Sequence, residues 1–197
     1  MGLVCAGLEC RSLAYRGAIY DTLGAVNFQP HHQPYNYFAN YAPGTDARKK
    51  HLKDMEVFWE AATAGTLPPV VFVKPDGNDN QHPGESTMAA GDLMIGRIVD
   101  TLRKSPQWSK MAIIVTHDEN GGFWDPAAPP TGDRWGPGSR VPTVIASPFA
   151  KKGFVDHTVY DTTSILAFIS KRFGLELLPG IRKQFGDLRN AFAISKD

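Results

Sequence analysis

Short apolar runs alternate with amphipathic stretches along most of this chain, and both kinds stop at glycine or proline. Val70 to Val73 follows Pro68-Pro69 and ends before Pro75, which predicts a short buried strand leading into the polar loop Asp76 to Glu85. Met111 to Val115 is continuously apolar and predicts a strand covered on both faces; Val141 to Ser147 predicts a third. Between the first two, Ile95, Ile98, Val99 and Leu102 recur at helical spacing. Strand, helix and strand in that order predict one parallel βαβ unit. Upstream, Leu52, Met55, Trp59 and Ala62 recur between Thr45, a residue suited to start a helix, and Gly65, one suited to end it, so a single amphipathic helix is expected there. Ile165, Phe168, Ile169 and Phe173 mark a last helix closed by Gly174. Residues 1 to 25 carry no such pattern, because Gly2, Gly7, Gly17 and Gly24 interrupt every periodic stretch.

Composition narrows the class. A chain of 197 residues can bury a substantial core as one domain or part of a larger one. Its 21 basic and 20 acidic residues leave a formal charge of +1, so neither nucleic acid nor an anionic membrane is expected as the principal partner. Cys5 and Cys10 match neither a zinc knuckle nor a C-x-x-C redox pair, and a disulfide framework is not expected. No apolar run approaches the roughly 20 residues that span a bilayer. The N-terminus has no basic region followed by a long apolar one, so the chain as written is expected to stay in the cytoplasm.

The candidate chemistry is concentrated after the Met111 to Val115 run, where Asp118-Glu119 are followed by Asn120-Gly121-Gly122 and Phe123-Trp124. In open parallel sheets the ligand crevice lies beyond the carboxyl ends of strands. Two adjacent carboxylates reach one ion only if the backbone leaves extended geometry near Asp118, and the glycine pair allows that turn. Hard oxygen donors suit Mg²⁺, Ca²⁺ or Mn²⁺ and also hold Zn²⁺. The plain alternative is a pair of solvated acids after a strand.

Histidines supply the second set of candidates. His31 and His32 lie in an aromatic, proline-flanked loop, and His82 follows Asp76-Gly-Asn-Asp-Asn80 with Pro83 and Gly84 behind it. Imidazoles beside a phosphoryl group donate charge-assisted hydrogen bonds or protonate a leaving alkoxide. The Asp76 loop opens like a calcium loop, but Gln81 at its sixth position and Thr87 at its twelfth end that match. His157 is a weaker candidate, and Asp161 is more simply a helix cap than a ligand. Arg134 and Arg140 either serve a phosphate from a structured lid or fix their loop through salt bridges.

These motifs together resemble the C-terminal half of the bacterial phosphoesterase family, which includes non-haemolytic phospholipases C and acid phosphatases. The match runs from His31-His-Gln-Pro-Tyr-Asn-Tyr-Phe38 through Phe72 to Pro75, His82 to Gly84, Asp118 to Gly122, Pro129 to Pro137, Val141 to Thr143 and Ser147 to Gly153, and ends at Val155 to Thr162. The double histidine and the Gly-Asp-Arg-Trp-Gly-Pro segment favour the acid phosphatase branch. The resemblance implies an alkaline-phosphatase-like α/β fold, a mainly parallel central sheet with helices on both faces, of which this chain is the C-terminal half. It divides the chain into an N-terminal segment (1 to 25), a phosphoesterase region (26 to 183) and a tail (184 to 197).

It also implies metal-dependent hydrolysis of small-molecule or lipid phosphoesters through a covalent phosphoenzyme. Asp118 and Glu119 are expected to bind a divalent ion of unspecified identity, and His31, His32 and His82 to surround the phosphoryl group. The family's Glu-Asn pair and its Ser or Thr nucleophile are expected outside this chain. A separately encoded N-terminal half, or self-association, is the partner that follows, and a periplasmic or secreted setting goes with the family. Two rival expectations are an inactive remnant acting as an interaction domain, and a phospholipase C acting on phosphodiesters.

Overall fold

A computed structural model describes residues 5–6 and 32–193, and among these lie two-residue and four-residue strands, five short 3-10 or α-helical turns and three longer helices. They are arranged in two units, Met1–Met111 and Ala112–Asp197.

The first unit is built on α2 (Met55–Ala64) and α3 (Met88–Lys104). The helix expected between Thr45 and Gly65 forms in two pieces. Thr45 caps α1 (Asp46–His51), its hydroxyl accepting the Arg48 N–H at 3.2 Å. The chain turns extended at Leu52 and starts again at Asp54, whose carbonyl accepts the Phe58 N–H at 3.3 Å. Aspartate favours a helix entrance over a helix interior, which gives the break a local cause. On α2 the residues Met55, Phe58 and Ala62 share the buried face, with Phe58 and Ala62 essentially sealed from solvent.

Gly65 ends α2 in the left-handed region at φ +73, and a Cβ there would lie only 3.0 Å from Pro106. Both the backbone angle and the close approach require glycine. Leu67 and Gln107 then exchange a pair of hydrogen bonds, backbone to side-chain amide, each 3.0 Å long. Leu67, Leu102 and Met111 complete the core of this unit.

The strands differ from expectation in length, partner and cover. β2 is only Phe72–Val73 and pairs parallel with β1 (Cys5–Ala6). β3 (Ile113–Thr116) pairs antiparallel with β4 (Thr143–Ala146), in the register Ile113 to Ala146 and Thr116 to Thr143. The described strands thus form one parallel and one antiparallel pair, a mixed α/β arrangement. Phe72 on β2 is 43% and Val144 on β4 63% exposed, whereas on β3 Ile113 is buried and Ile114 to Thr116 are half-buried.

In the second unit α4 (Thr163–Phe173) buries Ser164, Ala167, Phe168 and Ser170. Phe168 stacks on Phe192 with ring centres 5.0 Å apart, and Leu188 and Phe192 join it in the core. Asp161 does serve the helix start, its Oδ1 accepting the Ser164 N–H at 3.2 Å, and Gly174 closes the other end.

Asp156 anchors the loop before α4. Burial alone would raise its carboxyl, but hydrogen bonds donated by the Thr158 N–H, the Tyr160 hydroxyl and the Asn190 amide outweigh burial and hold it at about 2, below the ordinary 3.8. Burial and the same Asp156 contact push the Tyr160 phenol up to about 12. A carboxyl held down in the folded state stabilises fully above its unfolded value and loses that contribution as pH falls through the folded one. The denaturant midpoint is therefore expected to drop between about pH 4 and pH 2, and to drop less in Asp156→Asn. Parallel pH profiles for the two proteins would count against this anchor.

Candidate active site

β3 delivers its last residue, Thr116, to a hydroxyl pair with Thr143 at 2.8 Å, and His117 follows half-buried. The backbone then leaves extended geometry as a bend at Asp118-Glu119 and a turn at Gly121-Gly122, whose φ values are +63 and +77. Only glycine adopts two successive left-handed positions readily. The departure required for two carboxylates to serve one ion is present.

Both carboxylates are exposed and tied to their own loop. Asp118 Oδ1 accepts the Glu119 N–H at 3.1 Å, and Glu119 Oε2 accepts the Gly121 N–H at 2.9 Å. Asn120 braces the turn from inside: its Oδ1 accepts the Gly122 N–H at 3.3 Å and its Nδ2 donates to the Phe123 carbonyl at 3.0 Å. The pair has the donor chemistry of a hard divalent ion. Among the described residues no group of three or more His, Cys, Asp or Glu side chains gathers to complete such a site.

The Pro/Gly-rich excursion after this loop is fixed by two guanidinium forks. Arg140 grips Asp125 through Nε at 2.9 Å and Nη2 at 2.8 Å. That fork is the leading cause of the Asp125 carboxyl lying at about 2. Arg182 grips Asp133 at 3.0 and 3.1 Å and reaches Asp161 with Nη1 at 2.8 Å. It joins the excursion to the start of α4, lowering the Asp133 carboxyl and raising its own basicity. Arg140 thus takes the loop-fixing role, and Arg134 lies over the Trp135 ring at 4.4 Å. The sequence reading missed Arg182; the signal was an arginine placed beyond two aspartates whose partners were unassigned.

His82 belongs to the first unit, in a loop where side chains replace regular structure. Its N–H donates to Asn80 Oδ1 at 2.8 Å, and its carbonyl accepts from Glu85 and Ser86 at 3.0 and 3.2 Å. Its Nδ1 lies 2.9 Å from the Pro83 carbonyl. A carbonyl only accepts, so Nδ1 carries the proton and Nε2 is the nitrogen turned to other partners. His32, half-buried, lies beside Gln33, which caps the Pro34–Tyr37 turn. His31 and Cys10 lie outside the described residues, as does most of the N-terminal segment. His157 is exposed on the loop before α4.

Comparison with known proteins places these residues in context. The model of the Phosphoesterase family matches residues 13–176. A non-hemolytic phospholipase C of Pseudomonas aeruginosa is 32% identical over 164 residues, covering 66% of this chain and 24% of that protein. Non-specific phospholipase C1 of Arabidopsis thaliana is 33% identical over 122 residues, covering 50% and 23%. Phospholipase C A of Mycobacterium tuberculosis is 29% identical over 136 residues, covering 57% and 26%. The chain spans about a quarter of the length of these relatives.

Proposed function

Because the chain belongs to the Phosphoesterase family, we propose that it carries part of the active site of a metal-dependent phosphoester hydrolase with an alkaline-phosphatase-like, mainly parallel sheet. The observation that carries this reading is the bend at Asp118-Glu119, which leaves two adjacent carboxylates exposed on a loop braced by Asn120. Asp118 and Glu119 hold the ion. A bound divalent ion lowers the pKa of an attacking hydroxyl and steadies the charge that develops on the phosphoryl oxygens.

The remaining steps fall to side chains. His82, with Nδ1–H donated to Pro83, offers Nε2 to the phosphoryl group, and as imidazolium it donates from that nitrogen to a phosphate oxygen or a leaving alkoxide. His31 and His32 act beside it. The hydroxyl that forms the phosphoenzyme comes from outside the residues assigned here. The rest of the family domain, or a second copy, completes the site; Phe72 on β2 is one exposed apolar surface available to it, and Val144 on β4 is another.

The relatives' being phospholipases C favours a second reading of the substrate, a phosphodiester of the phospholipid class over a monoester. No helix among the described residues is long and apolar enough to cross a membrane, which is compatible with a periplasmic or secreted setting. Turnover of a chromogenic phosphate monoester and of a phosphocholine diester by the completed protein tests both readings, with and without Mg²⁺, Ca²⁺, Mn²⁺ and Zn²⁺. Hydrolysis is expected to need metal and to fall in His82→Gln, which removes the nitrogen offered to the phosphoryl group. Metal-independent turnover unchanged by His82→Gln would remove both the ion and the histidine from the mechanism.

A further inference from the structure

We propose that Gln81 is a positioning residue for His82, and that the glycine at position 91 exists to seat it. Gln81 has φ +64, a left-handed backbone that a long side chain adopts only where its surroundings impose it. Those surroundings are explicit. The Gln81 N–H donates to Ser86 Oγ at 2.8 Å, and Gln81 Nε2 donates to the carbonyl of Met88, the first residue of α3, at 3.1 Å. Ser86 Oγ in turn donates to Asn80 Oδ1 at 3.1 Å, the same oxygen that accepts the His82 N–H.

Gly91 explains why the side chain fits. It is buried within α3, where glycine is a poor helix former. A Cβ at that position would lie 2.1 Å from Gln81 Cγ and 2.9 Å from the Asp79 carbonyl oxygen. The missing side chain is a notch, and Gln81 and the Asp79 backbone fill it. Gly96, in the same helix, has nothing within 4 Å of the equivalent point. The two glycines therefore differ in what they do, and only Gly91 bears on the loop.

The consequence for His82 is a backbone fixed on both sides, from Asn80 and Gln81 before it and from Glu85 and Ser86 after it. With the backbone fixed, the ring meets the Pro83 carbonyl through Nδ1 and keeps Nε2 for another partner. This inference rests on the reading of His82 as a phosphate-facing group, and the test separates the two.

Histidine-labelled 197-residue protein is followed by ¹⁵N NMR at a pH where the ring is neutral, with the His82 signal assigned through His82→Gln. The wild-type ring is expected as the Nδ1–H tautomer. Gly91→Ala, which forces the loop out of its notch, and Gln81→Ala, which removes the anchor without touching α3, are each expected to lose that preference. Gly96→Ala is expected to keep it, so a change in helix propensity alone does not account for the effect. In a second arm inorganic phosphate is titrated against the His82 signal of the imidazolium form. Its apparent affinity is expected to fall roughly tenfold in Gln81→Ala, the scale of one misplaced charge-assisted hydrogen bond.

A wild-type ring in the Nε2–H form, or the wild-type tautomer retained in both Gly91→Ala and Gln81→Ala, overturns the proposal. If Gly91→Ala does not fold, Gln81→Ala alone decides. A tautomer contrast in the variants with no phosphate response in wild type supports the positioning role and overturns the phosphate reading of His82.

Discussion

The 197-residue chain on its own is expected to hydrolyse a chromogenic phosphate monoester no faster than background. The reason lies in what the residues gather. Asp118 and Glu119 offer two carboxylates, no third His, Cys, Asp or Glu side chain gathers with them among the described residues, and the nearby Thr116 hydroxyl is engaged with Thr143. Histidines can bind phosphate without performing the covalent step. Loss of a nucleophile costs roughly 10⁴ to 10⁶ in rate for well-studied covalent enzymes, and an incomplete metal shell adds to that. The assay is run with each of the four divalent ions, then repeated after mixing with a polypeptide carrying the rest of the family domain. Metal-dependent turnover by the chain alone, lost in Asp118→Ala, would mean that an attacking hydroxyl resides within these residues after all.

In the completed protein, Asp118→Ala or Glu119→Ala is expected to release the metal and to reduce turnover by on the order of 10² to 10³ or more, the scale for removing one group that stabilises developing charge. Folding should hardly notice. Both side chains are exposed, and Asp118 Oδ1 and Glu119 Oε2 accept backbone N–H groups of their own loop, so the unfolding free energy is expected to stay within about 0.5 kcal/mol of wild type. Metal content by elemental analysis, turnover and unfolding are read on the same preparation. Metal retained at the wild-type level with full turnover would leave Asp118 and Glu119 as ordinary solvated acids. Lost metal together with a large loss of stability would make their role structural.

What the amino-acid order discloses here is mostly local. Thr45 starts a helix and Gly65 and Gly174 end two others because caps depend on one side chain or one backbone angle. The bend at Asp118-Glu119 was legible for the same reason, since the glycine pair that permits it is adjacent. The break at Leu52 to Asp54 was not, because the apolar spacing runs through it and only the entrance at Asp54 interrupts the helix.

Strand partners were illegible for a different reason. A run such as Met111 to Val115 encodes a buried, extended segment but not which other run satisfies its hydrogen bonds, and β3 found β4 across an antiparallel register. The ion pairs of Arg182 span 49 and 21 residues, and charge in the sequence has no direction. Gln81 was read as a reason to reject a calcium loop, a reading with no access to the helix notch it occupies.

The fork between Asp125 and Arg140 leaves the excursion between them with a neck. Once a neck is closed, lengthening the enclosed segment adds only a slowly growing entropic cost, about 0.6 kcal/mol for each doubling in a flexible loop. β3 and β4 lie outside that neck, so their register does not depend on how many residues the excursion holds. Insertions or deletions placed clear of Asp133, which Arg182 ties to the start of α4, are therefore expected to leave unchanged the strand that presents Asp118 and Glu119.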